Sequence, residues 1–304
     1  MSRLMSTKEV ATFLGINEKK VYGLITESGL PATKATGKWL FPSHLVEQWV
    51  ESRTVNVPIM AGAATADPHL LVVAGSNDLL LDKALALYMR VHPNRVAVFG
   101  NLGSLGGLKA LRRGLCHIAT SHLAQQDGEE FNFAYAASEL EHQPAIVNFC
   151  RREQGLLVAP GNPLGITSVA DIPGMDLRLA NRPLGTGTRL LLDRSLALAG
   201  ADVSGIKGYD RELSRHLDVG LEVLAGRADV GPAIRCVADI LGLGFVSLAW
   251  ERYDLLIPKD RYFDKQVQLF LDLLASKEFV AMAGEMPGYD VASSGKVVFC
   301  KGGE

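Results

Sequence analysis

From His69 onward the chain alternates short apolar runs with helical stretches, and this constrains the fold more than any single motif. "HLLVVAGS" is a continuous apolar run of strand length, "DLLLDKALALYMRVH" has a helical pattern, "RVAVFGN" is a strand, "GGLKALRRGL" a helix and "HIATS" a third strand. Such alternation predicts an α/β architecture, a parallel sheet with crossover helices. A second set follows: a strand at "LRLAN", a helix from about Thr188, a helix over "ELSRHLDVGLEVLAG", a strand at "ADVG" and a helix from Pro232. Two stretches link the sets, "RREQGLLVAPGNP" from 151 and "WERYDLLIPKD" from 250. Each is a charged pair followed by an apolar strand ending in Pro. A chain that crosses twice between two lobes would do this, with lobe 1 at 69–153 and 255–304 and lobe 2 at 154–254.

The residues before this region read differently. Ser6 and Glu9 fit a capping box, Val10, Phe13 and Leu14 lay an apolar stripe on the helix that follows, and Gly15 stops it. Asn17 caps a second helix whose buried side is Val21, Tyr22, Leu24 and Ile25, ending near Gly29. Two short helices joined by a glycine-containing turn form a helix-turn-helix pattern. A tight turn around Thr36 and Gly37 between short extended runs then predicts a wing, and Pro42 and Ser43 open a third helix with Leu45, Val46 and Trp49. The expected domains are 1–53, a linker at 54–68, and 69–304. Residues 1–56 hold seven Lys or Arg against five Asp or Glu, and the remainder 24 against 28, so the net charge of −2 conceals a slightly basic module.

Several classes lose their best signals. Cysteines 116, 150, 236 and 300 and the seven histidines show no metal-binding spacing, so no metal site and no cofactor are expected. There is no G-x-G-x-x-G after a first strand, no G-x-x-x-x-G-K-[ST] and no G-x-S-x-G elbow, and the acidic pairs Glu129/Glu130 and Glu139/Glu141 read as solvated faces. The expectation is a non-enzyme. The N-terminus has no apolar h-region and no stretch approaches the ~20 apolar residues of a membrane span. A cytoplasmic protein is expected.

Three turns at strand-to-helix junctions are rich in glycine or hydroxyls: "AGSND" (74–78), "GNLGSLGG" (100–107) and "NRPLGTGTR" (181–189). The first turn of a helix leaves about four N–H groups unpaired and carries partial positive charge, so anions lodge there. Each turn read alone also suits plain capping, but "GTGTR" with its arginine exceeds what capping requires. His122, just past a strand's C-terminal end, and His216, on a predicted helix, are further ligand candidates.

With these residues in place, positions 6–52, "STKEVATFLGINEKKVYGLITESGLPATKATGKWLFPSHLVEQWVES", resemble the excisionase-type winged helix-turn-helix domain. The resemblance implies double-stranded DNA as a partner, with Lys19, Lys20 and Tyr22 facing it from the second helix and Lys34 and Lys38 from the wing. Gly23 stands where the family often has Arg and the module has few arginines, which implies a homodimer presenting two modules. Lysines on phosphates give salt-sensitive affinity with little sequence choice.

Residues 69–304, through "REQGLLVAPGNP", "ANRPLGTGTRLLLD", "GLEVLAGRADVG" and "GFVSLAWERYDLLIPKD", resemble the molybdate-binding, type II periplasmic binding protein-like domain. The resemblance implies two lobes closing on a small oxyanion, molybdate or tungstate. By position, Ser76, Asn77 and Ser104 would serve from lobe 1, with Thr120 and Ser121 adding contacts. Thr186, Gly187, Thr188 and Arg189 would serve from lobe 2, with countercharge from Arg182 and Arg189. The expectation is a ligand-responsive transcriptional regulator. Its rivals are a regulator sensing sulfate, phosphate or a small organic anion, an enzyme or molybdenum-cofactor biosynthesis component acting on a phosphorylated or pterin substrate, and a DNA-architectural protein.

Overall fold

The computed structural model describes residues 3–51, 53, 67–124 and 131–298. Most of the expected linker, Glu129, Glu130 and Cys300 lie outside them. The chain divides into two compact units, Met1–Met60 and Ala61–Glu304.

The first unit runs β1 (Leu4–Ser6), α1 (Thr7–Leu14), α2 (Glu18–Glu27), β2 (Leu40–Pro42) and α3 (Ser43–Glu51). Its helix ends follow the local chemistry. Ser6 N–H donates to Glu9 Oε2 at 2.8 Å and Glu9 N–H returns to Ser6 Oγ at 3.4 Å, while Asn17 Oδ1 accepts from Lys20 N–H at 2.9 Å. Thr33 and Leu40 exchange two backbone bonds around the Lys34–Gly37 turn, which makes the wing. Val10, Ala11, Val21, Leu30, Phe41 and Val46 form the core. Phe13, expected in the buried stripe, is 52% exposed, because α1 buries the face centred on Val10 and Ala11 and Phe13 lies round its side. The short β1, which pairs antiparallel with β2, had no signal in the helical pattern.

The second unit runs β3 (Leu70–Gly75), α4 (Leu79–Val91), β4 (Val96–Asn101), α5 (Gly103–Arg112), β5 (Ile118–Ser121), α6 (Phe133–Glu139), β6 (Ala145–Val158), α7 (Asp171–Gly174), α8 (Gly187–Leu198), α9 (His216–Leu224), β7 (Val230–Ile234), α10 (Arg235–Leu241), β8 (Gly244–Ile257), α11 (Lys265–Leu274), α12 (Lys277–Gly284) and β9 (Tyr289–Asp290). The sheet order is β4-β3-β5-β8-β6-β7, with β9 on β6. Strands β3, β4 and β5 are parallel, and β8, β6 and β7 join them antiparallel.

The two charged-pair stretches lie in β6 and β8, which pair with each other along their lengths and pass through both lobes. One end of the pair packs with β5 over a core that includes Leu80, Tyr88, Phe149 and Phe270; the other packs with β7 over Leu156, Ile172 and Leu192. Their charges meet in register, Arg151 opposite Arg252 and Arg152 opposite Glu251.

Two expected helix starts moved. The helix over "ELSRHLDV" begins only at His216, because Glu212 bridges to Asn181 and Leu213 N–H bonds Asn181 O, holding that segment extended. No helix starts at Pro232, which stands in β7 opposite Leu156; β7 ends the sheet order, where a residue without an N–H is tolerated.

Candidate anion-binding cleft

The ends of β3 and β5 supply the lobe 1 wall. Asp78 is the N-cap of α4, accepting from Leu81 N–H at 3.0 Å, so Ser76 and Asn77 do not cap it, and the Asn77 side chain hydrogen-bonds Asp82. Gly75 has φ 137, and a Cβ there would lie 2.3 Å from Thr120 O, so only glycine lets the two strand ends approach this closely. Ser76 O accepts from Thr120 Oγ1 at 3.0 Å and from the Tyr253 hydroxyl at 2.5 Å, which fixes the turn. Ser104 Oγ accepts from His122 N–H at 3.4 Å.

A chain of buried hydrogen bonds runs from this turn to the hinge strands. Ser76 Oγ is 2.8 Å from His122 Nε2, and His122 Nδ1 is 2.8 Å from Glu251 Oε2. Glu251 Oε1 accepts from Arg152 Nε at 2.6 Å and Gln154 Nε2 at 2.7 Å, and Arg152 Nη1 reaches Asp78 Oδ2 at 2.7 Å. Burial alone would raise the Glu251 carboxyl, but His122, Arg152 and Gln154 hold it well below the usual carboxylate range. Burial, aided by Arg152 and Arg182, lowers the His122 imidazole against the pull of Glu251. An ionised carboxylate only accepts, so Nδ1 carries the hydrogen of the neutral ring and Nε2 accepts the Ser76 hydroxyl.

Lobe 2 meets this wall through α8 and α9. Gly187 packs on the His122 ring so closely that a Cβ would lie 2.4 Å from it, Thr188 Oγ1 accepts from Gln154 Nε2 at 3.0 Å, and Asn101 Nδ2 reaches Ser214 O at 3.0 Å. His216 is the first residue of α9, fully buried, with both ring nitrogens unpaired. Burial and then Arg182, Arg152 and His122 push its pKa well down. Arg182 is buried with Nε unpaired, its Nη1 bonded to Leu213 O at 2.8 Å. Burial and the nearby Arg152 lower its guanidinium to about 10, against Asp218. Arg152 Nη2, Ser121 Oγ and Gln154 Oε1 are also buried without partners. Unpaired donors on Arg152 and Arg182, near His216 at the start of α9, are groups that could hold an anion. A cavity of about 420 Å³, lined by His122, Gly187, Glu251, Phe131, Tyr135 and Trp250 among others, adjoins it.

All eleven residues expected from the sequence are buried, but their engagements differ. Thr186 caps α8, accepting from Arg189 N–H at 3.3 Å and donating to Pro183 O at 2.8 Å. Arg189 faces its own lobe: it bonds Asp193 at 2.8 Å and stacks 4.2 Å from the Tyr209 ring centre. Thr120 braces Ser76. Arg152, Gln154, Glu251 and Asp78 were missed as site residues. For Arg152 and Glu251 the signal lay in the two mid-strand charged pairs, which mark a buried ion pair as well as the crossing between lobes. In the N-terminal unit, Lys19, Lys20, Tyr22, Lys34 and Lys38 are all exposed, and Lys34 Nζ lies 4.8 Å over the Trp39 ring. No group of three or more metal-ligating side chains occurs among the described residues, and no helix there is long and apolar enough to cross a membrane.

Sequence profiles match two regions, a helix-turn-helix domain at residues 4–54 and the PBP superfamily domain at 85–275. An uncharacterised Bacillus subtilis protein, YvgK, is 27% identical over 299 residues, 96% of each chain. An uncharacterised Clostridium pasteurianum protein from the 5′ region of a 2Fe–2S ferredoxin gene is 32% identical over 110 residues, 36% of this chain and 97% of its own. Among solved structures, one assigned as a phosphate ABC transporter substrate-binding protein from Clostridium perfringens, with bound phosphate, aligns at TM-score 0.56 and 11% identity over 76% of this chain and all of its own. The regulatory domain of MetR, a LysR family regulator from N. meningitidis, aligns at 0.50 and 12% identity over 73% of this chain and 98% of its own. At these identities the likeness is one of fold.

Proposed function

The chain belongs to the PBP superfamily and carries a helix-turn-helix domain, and from that premise we propose that it is a ligand-responsive transcriptional regulator whose interlobe cleft senses an oxyanion. The observation that carries this reading is the pair of buried, unpaired donors at Arg152 Nη2 and Arg182 Nε, with the unpaired His216 ring near them. Arg152 has Asp78 and Glu251 as ion partners, but Arg182 bonds only the Leu213 carbonyl; a buried charge of that kind is strongly unfavourable, and an anion would complete it. The sequence resemblance points to molybdate or tungstate, and the Clostridium perfringens protein holds phosphate. DNA contact is assigned to Lys19, Lys20, Tyr22, Lys34 and Lys38, two modules act together in a homodimer, and the regulator works in the cytoplasm with its DNA. Ligand alters DNA binding only if it prefers one lobe arrangement to the other.

Thermal melting of the full chain with molybdate, tungstate, phosphate, sulfate and a nucleotide panel tests the sensor. A specific ligand at about 100 times its Kd stabilises by about 2.7 kcal/mol. If no oxyanion shifts the transition, the reading is wrong.

One observation favours an enzyme instead. Ser76, His122 and Glu251 stand in the order nucleophile, base and carboxylate, with hydrogen-bond distances of 2.8 Å at both steps. A fluorophosphonate that modifies Ser76 would support that reading, and an unmodified protein leaves the binder.

A further inference from the structure

We propose that the ligand of this cleft donates a hydrogen bond as well as accepting them: an oxyanion that still carries an O–H at neutral pH, the hydrogen phosphate class, rather than a bare tetraoxo dianion such as molybdate, tungstate or sulfate. The inference rests on the oxyanion reading of the cleft and narrows it.

It starts from Gln154 Oε1, buried and without a partner. Gln154 follows Arg152 by two along β6, so both side chains leave the same face of the strand, and Glu251 stands opposite Arg152. The amide orientation is fixed by its neighbours. The Glu251 carboxylate only accepts, so the atom 2.7 Å from it is the amide nitrogen, which also reaches Thr188 Oγ1 at 3.0 Å. The remaining terminus is the carbonyl oxygen, an acceptor with no donor from the protein.

The unpaired groups of the cleft therefore come in two kinds. Arg152 Nη2 and Arg182 Nε are donors, and ligand oxygens satisfy them, while the neutral His216 ring has one unpaired donor and one unpaired acceptor nitrogen. Gln154 Oε1 needs a hydrogen. A tetraoxo dianion has none to give and sets a negative oxygen against the carbonyl, leaving a buried acceptor unsatisfied in a low-dielectric site. Hydrogen phosphate and hydrogen arsenate keep one O–H at neutral pH, whereas molybdate, tungstate and sulfate are fully deprotonated. One O–H aimed at Gln154 and the other oxygens at the arginines complete both kinds together.

Calorimetric titration of the full chain at neutral pH with inorganic phosphate, arsenate, sulfate, molybdate and tungstate tests this. Phosphate and arsenate are expected to bind about thirtyfold more tightly than the other three, the discrimination one unsatisfied buried acceptor supplies. Gln154→Met, similar in length but without the carbonyl, is expected to bring the ratio towards one, mainly by weakening phosphate. If sulfate or molybdate binds the wild type as tightly as phosphate, the proposal fails while the oxyanion cleft stands. A preference that survives in a folded Gln154→Met protein removes the assignment to this residue, and binding of none of the five anions overturns both readings. Should Gln154→Met not fold, the wild-type ratio decides alone.

Discussion

Arg182 and Arg189 flank one glycine-rich turn and both are buried, but of the two only Arg189 has a carboxylate within hydrogen-bond reach, Asp193 at 2.8 Å. Arg189→Ala removes that bond and the stacking on Tyr209, so it is expected to cost about 2 kcal/mol of stability while leaving ligand affinity nearly unchanged. Arg182→Met should do the reverse. A buried charge that lacks an ion partner is costly, so with an apolar side chain in its place the ligand-free protein should melt no lower than wild type and lose its oxyanion-dependent shift. Paired melting curves with and without ligand check both; an Arg182→Met protein that keeps the full shift would place the anion elsewhere. The sequence made both arginines candidates for countercharge and favoured Arg189, which belongs to "GTGTR". What separates them is Asp193, one turn on from Arg189 along α8, together with Tyr209 and Leu213, which only the folded chain brings near.

At the scale of elements, local chemistry decides more. The Ser6 capping box, the Asn17 cap and the strand–helix alternation after His69 are legible because each depends on neighbours in sequence. The start of α9 and the end of β7 are not, since each is set by pairing with a remote strand, Glu212 with Asn181 and Pro232 with Leu156. The start of α8 belongs to the legible kind, with Thr186 as its N-cap. Thr186→Val is therefore expected to cost about 1 kcal/mol with little change in ligand affinity. A large affinity loss without destabilisation would return the hydroxyl to the ligand. For α2, Lys19→Ala with Lys20→Ala should weaken duplex binding and reduce the slope of log affinity against log salt by about two, if each lysine meets one phosphate. Anisotropy titrations at two salt concentrations measure it; an unchanged slope would take α2 away from the DNA.

Over the whole sensing unit, the cleft couples folding, protons and ligand. His122 and His216 are both buried with pKa values lowered by burial and by the nearby arginines. In the unfolded chain they titrate near the ordinary imidazole value of about 6.5. A lowered folded pKa means the unfolded state binds more protons below 6.5, so stability is fully present above that pH and is lost as pH falls towards the folded values. With both rings involved, the slope approaches about 2.7 kcal/mol per pH unit, twice the single-proton value. An anion beside Arg182 and His216 reverses part of this, because negative charge favours the imidazolium. Ligand binding then takes up protons, and affinity rises as pH falls from 7 to 5.5. Melting temperatures measured across pH 5–8 with and without saturating phosphate should show a steep acid loss in the free protein and a flatter one in the complex. Parallel curves would mean that the anion and the two histidines do not share one site.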